Sequence, residues 1–195
     1  ENNKIIFPQD YQGIYSQPSG GAIFFDSQLT VDSCTFLNNT AISNQDSKGG
    51  AINVSYGILN VANSYFDGNS AAHGGAIYSG YYAHLNINKS IFKGNFISDS
   101  DGSAVSVSSN DYLITNSLFF NNGDINDFDV GCTIFSGRDG NIINCDIVFN
   151  ENNGIGIWSP HNLNIINSIL WGNETADDNQ IYNLTANNND NLVND

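Results

Sequence analysis

Methionine is absent from this 195-residue chain, proline occurs 3 times and tryptophan twice. Positive charge is also scarce: 5 Lys and Arg stand against 20 Asp and Glu, a net charge of −15. A nucleic-acid binder needs a basic stripe that follows the phosphates. Lys4, Lys48, Lys89, Lys93 and Arg138 are too few and too scattered to build one, so no nucleic-acid partner is expected. The same field disfavours anionic membranes and polyanionic sugars.

Long apolar runs are missing too, so no membrane span is expected in this chain. No leader with a basic start and an apolar middle is present. The chain begins at Glu1 and not Met, and is read as a processed product or an excised segment whose targeting information lies elsewhere. Cysteine is limited to 3 residues with no metal-ligand spacing, which argues against a disulfide framework and a zinc site.

Gly (19 residues), Asn, Ser and Asp are plentiful instead. These are turn formers and poor helix formers. Hydrophobic residues reach 40%, too many for a disordered chain.

A nine-residue block recurs along the sequence: 31–39 (VDSCTFLNN), 61–69 (VANSYFDGN), 87–95 (INKSIFKGN), 114–122 (ITNSLFFNN), 142–150 (IINCDIVFN) and 165–173 (IINSILWGN). Its first position is Val or Ile, its fourth Ser or Cys, and its ninth Asn. The sixth is Phe in four blocks, then Ile147 and Leu170. A second block precedes each: 20–23 (GGAI), 49–52 (GGAI), 74–77 (GGAI), 102–105 (GSAV), 131–134 (GCTI) and 154–157 (GIGI). The terminal Asn residues fall 30, 26, 27, 28 and 23 positions apart, one solenoid coil each.

Short β-branched and aromatic blocks bounded by Gly and Asn read as strands, and no 3.6-residue apolar stripe survives the punctuation. The fold class is therefore all-β, a right-handed parallel β-helix of about six coils. Equivalent residues stack about 4.8 Å apart. The Phe residues then form one interior column and the Val/Ile residues another. Asn39 to Asn173 form an amide ladder, and both Asn and the Gly pairs supply corners. Coil length varies between the Asn and the next Gly, which marks one corner as the place where loops project. Residues 1–19 are assigned as an N-terminal cap, 20–173 as coils, and 174–195 as a partial coil with an Asn/Asp-rich tail.

The pairing of Gly-Gly-Ala-Ile with Phe-x-x-Asn resembles the repeat of the chlamydial polymorphic outer-membrane autotransporter family and of adhesin-like microbial surface proteins. The intact pairs are Gly20–Ile23 with Phe36–Asn39, Gly49–Ile52 with Phe66–Asn69, and Gly74–Ile77 with Phe92–Asn95. The resemblance implies a passenger-type β-helix, secreted or on the cell surface, and adhesion to a glycan or a surface protein. It carries no catalytic residue over to this chain. A C-terminal translocator barrel of that family has no counterpart in these residues.

Candidate sites follow from the coil geometry. The residue after each Gly-x-x-Ile faces away from the core by strand alternation. Phe24, Tyr78, Phe135 and Trp158 fall there, with Tyr81, Tyr82 and Tyr112 nearby, and exposed aromatics bind sugars or protein partners. Asp124, Asn126, Asp127 and Asp129 form an oxygen-rich loop suited to Ca²⁺, although no cofactor is required. Asp99 and Asp101 share the preceding loop. Cys34 and Cys145 occupy the same block position four coils apart, too far for a disulfide, and are expected as small buried thiols. A Cys132–Cys145 bridge within one coil stays open.

An enzyme is the rival reading, because many β-helices cleave polysaccharides. It would need facing carboxylates. Asp26, Asp32, Asp139 and Asp146 are outward candidates beside Arg138, the single Arg, but they form no evident set. His73, His84 and His161 are scattered. Ice binding is a third reading, weakened because block position two reads Asp32, Ala62, Asn88, Thr115, Ile143 and Ile166 rather than a Thr ladder. The expected protein is a monomer or part of a longer chain.

Overall fold

A computed structural model describes residues 20–42, 46–98, 101–109, 111–124, 131–151, 153–157, 162–173 and 180–182, with strands Lys4–Ile6, Ala186–Asn189 and Leu192–Val193. The chain is an all-β parallel solenoid of about five turns, slightly fewer than the six expected. We number the coils by their repeats: residues 20–39, 49–69, 74–95, 102–122, 131–150 and 154–173.

Three sheets run along the rod. One has seven strands, and in coil order they include Thr35–Leu37, Tyr65–Asp67, Ile91–Lys93, Leu118–Phe120, Asp146–Val148 and Ile169–Trp171. These pair in parallel, with Phe36 opposite Phe66, Phe66 opposite Phe92, and Phe92 opposite Phe119. The largest sheet has twelve strands in two arms, joined where Ile52–Ala62 and Ile77–Asn88 run on as single long strands. A five-stranded sheet closes the third side, and Lys4–Ile6 adds to its edge beside Thr40–Ile42.

The predicted columns are in place. Phe66, Phe92 and Phe119 are fully buried, as are Ile114, Ile142 and Ile165 of the Val/Ile column. Adjacent rings in the Phe column lie 4.7–4.8 Å apart and within 5° of parallel. One column fits by compensation. Tyr112, expected near the outer aromatics, is instead completely buried opposite Gly140, because a Cβ on Gly140 would sit 2.2 Å from its ring and only glycine leaves the room. The Tyr112 hydroxyl donates to Ser136 Oγ at 2.8 Å, which satisfies its buried polar end.

The Asn ladder runs unbroken through the rod. Each Nδ2 donates to the next Oδ1: Asn39 to Asn69 (2.8 Å), Asn69 to Asn95 (2.9 Å), Asn95 to Asn122 (3.0 Å), Asn122 to Asn150 (2.9 Å) and Asn150 to Asn173 (2.7 Å). Gln180 ends it, accepting from Asn173 at 2.7 Å. A parallel chain uses block position four: the backbone N–H of Cys34, Ser64 and Ser90 donates to the Ser Oγ of the following coil.

Three other expectations are corrected. The ninth-position Asn residues are not the left-handed corners. Positive φ falls on the third block position (Ser33, Asn63, Lys89, Asn116, Asn144, Asn167) and the eighth (Asn38, Gly68, Gly94, Asn121, Phe149, Gly172). The ninth side chain must point inward to join the ladder, so the corner sits beside it. The sixth coil is shifted by two residues. Ile155, not Ile157, lies opposite Ile134, and Gly156 takes the column position opposite Phe135. Cys145 is buried and Cys34 is exposed, because no earlier block-four residue covers the first coil; all three cysteines are free. Burial raises the Cys145 thiol to about 11.

Coil length also varies at a second corner, between the two arms of the large sheet. It holds residues 55–58 in the second coil, 80–84 in the third, 108–111 in the fourth and 137–139 in the fifth. Gly57 makes it possible in the second coil, since a Cβ there would meet the Ser27 carbonyl oxygen at 1.7 Å.

The Gly-Gly pairs do two jobs. Gly49 has φ +64, while Gly50 passes so close to the third coil that a Cβ would lie 2.0 Å from the Gly75 carbonyl oxygen. Gly50→Ala is therefore expected to destabilise the fold by roughly 3 kcal/mol or more, since two backbones must part. A urea midpoint within error of the parent would show that the coils are looser than this.

Candidate functional site

The predicted aromatic column exists, but it is not an open stripe. Phe24, Asn53, Tyr78, Ser106, Phe135 and Gly156 lie opposite one another in successive coils. Aromatics alternate with small residues, and the aromatics cover the gaps. Asn53 is 2% exposed and Ser106 is fully buried, while Tyr78 and Phe135 are half-buried. Phe24 at the first coil is exposed. Lys48 caps the Tyr78 ring at 5.1 Å from its centroid, and the Tyr78 hydroxyl lies 3.4 Å from Ser108 Oγ. Trp158 lies outside the described residues.

Tyr81 and Tyr82 belong to a different cluster, at the second corner. Tyr82 is 64% exposed and stacks on Tyr56 at 5.4 Å with 3° between the planes. Tyr81 meets Tyr82 edge to face at 4.9 Å. The Arg138 guanidinium lies 4.4 Å from the Tyr81 ring centroid, a favourable cation–π distance. Why these groups meet is a matter of coil length. The third coil spends five residues at this corner and the fifth only three, so Arg138 reaches back across the fourth coil onto Tyr81. Sequence reading found Tyr81 and Tyr82 but missed Tyr56, and it weighed Arg138 only for catalysis. Counting residues between the two strand blocks was the available signal.

A second exposed set was missed altogether. Strand alternation in the seven-stranded sheet turns block positions five and seven outward. Ile91, Ile169 and Trp171 are exposed there, with Leu118, Phe120 and Val148 half-buried beside them. Phe149 adjoins them at φ +53 and is 61% exposed. A left-handed Phe costs about 1–2 kcal/mol, and its ring lies over Gly172.

The calcium candidate does not come into view. Asn126, Asp127 and Asp129, like Asp99, lie outside the described residues, as does the Asp124 side chain. Among the described residues, no group of three His, Cys, Asp or Glu is placed to hold a metal. Asp26, Asp32, Asp139 and Asp146 are all exposed but sit on different strands and corners. His161 lies outside the described residues and His84 is exposed. The irregular column through Asp32, Ala62, Asn88, Thr115, Ile143 and Ile166 is in register as read.

His73 has a structural role that sequence reading overlooked. Its Nδ1 lies 3.1 Å from Asp101 and its Nε2 lies 3.3 Å from Asp46, so one imidazole, set between the second and third coils, ties the connection before the second coil to the one before the fourth. The Asp101 contact, short although bent off the ring N–H line, raises the His73 pKa most. Burial works the other way, and Asp46 adds to the rise. A raised folded pKa means stability is fully present below the unfolded value near 6.5 and is lost as pH climbs through the folded value. The denaturation midpoint should therefore fall as pH rises from about 6.5 through the raised folded value. His73→Gln should flatten that slope, and an unchanged slope in the variant would assign the dependence to other groups.

Fold and ladder together define a parallel β-solenoid with an internal amide spine. Within it, residues 33–55 and 63–80 match the Chlamydia polymorphic membrane protein repeat, so the resemblance read from the sequence holds. No curated protein and no solved structure matches the chain. Among the described residues, no helix is long and apolar enough to cross a membrane.

Proposed function

We propose that this chain is a length of surface-displayed β-helix passenger whose task is adhesion, with the Tyr56–Tyr81–Tyr82–Arg138 corner as its contact site. The repeat match supports a place at the outer membrane or cell surface. The observation that carries the adhesive reading is the corner itself. Three tyrosines and the single arginine gather on an exposed edge of a protein otherwise poor in cations. Tyr and Arg dominate binding hot spots because they bring large contact area and directed donors at modest entropy cost. A rod with a continuous internal ladder holds such a corner stiffly away from its base.

Beads coated with the chain should adhere to cultured cells, and Tyr81→Ser with Tyr82→Ser should abolish most of that adhesion without lowering the melting temperature. Adhesion that ignores both substitutions would move the site elsewhere, first to Trp171 and Phe149. The enzymatic reading predicts release of reducing ends from a polysaccharide. No carboxylate pair among the described residues favours it.

A further inference from the structure

The ligand chemistry of the tyrosine corner can be narrowed, on the premise that this corner is the contact site. We infer that it takes a neutral oligosaccharide, stacked against Tyr82 and hydrogen-bonded by Arg138.

Three observations lead there. The first is shape. The corner steps down from five residues in the third coil to four in the fourth, and Arg138 reaches over the step. A protein interface of ordinary size buries about 800 Å² on each partner. Around the rings, however, the exposed positions are mostly polar: Asp26, Ser27, His84, Asp111 and Asp139, with Ile58 and Leu113 as the exposed apolar side chains. A few aromatic faces and a few planar polar groups suffice for a sugar.

The second is hydrogen-bonding capacity. Among the described residues, the hydroxyls of Tyr56, Tyr81 and Tyr82 have no hydrogen-bond partner, and Arg138 has no carboxylate partner. Arg138 is held by the Tyr81 ring instead, which leaves its N–H fork free. Phenols donate and accept, guanidinium only donates, and the nearby Asp111 carboxylate only accepts. That mixture suits vicinal hydroxyls, each of which both donates and accepts.

The third is charge. The chain carries −15, and Asp111 and Asp139 flank the corner. One guanidinium does not reverse that field, so a polyanionic chain is repelled. A neutral sugar meets no such penalty.

The test uses the full chain and named probes. Maltohexaose, cellohexaose and a neutral lacto-series tetrasaccharide are titrated calorimetrically at low and high salt, with sialyllactose and a heparin hexasaccharide as acidic comparators. At least one neutral probe should bind in roughly the micromolar to millimolar range. Its affinity should be indifferent to salt. Tyr82→Ala should weaken it about tenfold, the scale of one lost ring contact. Arg138→Lys should weaken it as well, because the charge is kept but the planar fork is lost.

No binding by any neutral probe overturns the inference. So does binding confined to the acidic probes and lost at high salt, or binding that survives Tyr82→Ala. Cell adhesion separates this failure from that of the broader reading. Adhesion that needs Tyr82 yet survives enzymatic deglycosylation of the cells leaves the corner as the contact site for a protein and removes the sugar. Adhesion that does not need Tyr82 removes both.

Discussion

Asn95→Leu should remove on the order of 4 kcal/mol of stability, much of what a domain of this size possesses. Leu keeps the branched heavy-atom skeleton of Asn, so the loss is chiefly one of hydrogen bonds, with the bulkier methyl groups adding some crowding. Asn95 is fully buried in the middle of the ladder. Its Oδ1 accepts from the Asn69 backbone N–H at 3.1 Å and from Asn69 Nδ2 at 2.9 Å. Its Nδ2 donates to Asn122 Oδ1 and to the Phe66 carbonyl, both at 3.0 Å. Substitution strands the Asn69 backbone N–H outright and leaves Asn69 Nδ2 and the Phe66 carbonyl each short of a partner. Each buried orphan costs about 1–3 kcal/mol. A break at mid-rod also loosens the coupling of the two halves, since a solenoid is held by neighbour-to-neighbour terms. Urea unfolding should therefore shift and broaden. The control is Asn141→Ala, where a half-buried outer amide accepts one bond from Asn164 at 3.0 Å. If Asn95→Leu costs no more than that control, the ladder is ornament and the core alone holds the rod.

The sequence revealed the ladder because a solenoid writes its contacts as repeats. An Asn every 23 to 30 residues has no local explanation, so its partner has to be the next Asn. The same holds for the Phe and Val/Ile columns. Features that occur once were hidden. His73 meets Asp46 and Asp101 only because loops of different length bring them to one corner. Arg138 meets Tyr81 across a coil that is shorter at this point, and spacing within either coil does not announce it. The sixth coil misled for a related reason. Gly154-Ile-Gly-Ile157 offers two Gly-Ile steps, and the sequence match chose the wrong one by two residues. The outward faces of the block were legible by alternation. Trp171 is exposed by that same alternation, but block position seven holds Leu37, Asp67, Lys93, Phe120 and Val148 in the other coils, so no repeated aromatic marks it.

Phe92→Ala should cost about 5 kcal/mol, the upper end for an aromatic removed from a core, and more than the same change at the end of the column. Phe92 is completely buried, with rings 4.7 Å away on both sides, Phe66 and Phe119. Phe36 is 8% exposed and, among the described residues, stacks on Phe66 alone, so Phe36→Ala should cost about 3 kcal/mol. The difference comes from the second ring contact, worth about 0.5–1.5 kcal/mol, and from the enclosed cavity, which neighbours in register on both sides cannot relax to fill. Phe92→Leu separates volume from ring stacking. Ile147 and Leu170 occupy this column in the fifth and sixth coils, so an aliphatic side chain fits the backbone there. The leucine variant should recover most of the lost stability, leaving a deficit of about 1–2 kcal/mol that belongs to the rings. A double-mutant cycle of Phe66 and Phe92 measures that ring term directly. Ile91→Ala, one residue away on the outer face, should cost under about 1 kcal/mol. If Phe92→Ala shifted the midpoint no further than Ile91→Ala, the Phe column would not be the core of this rod.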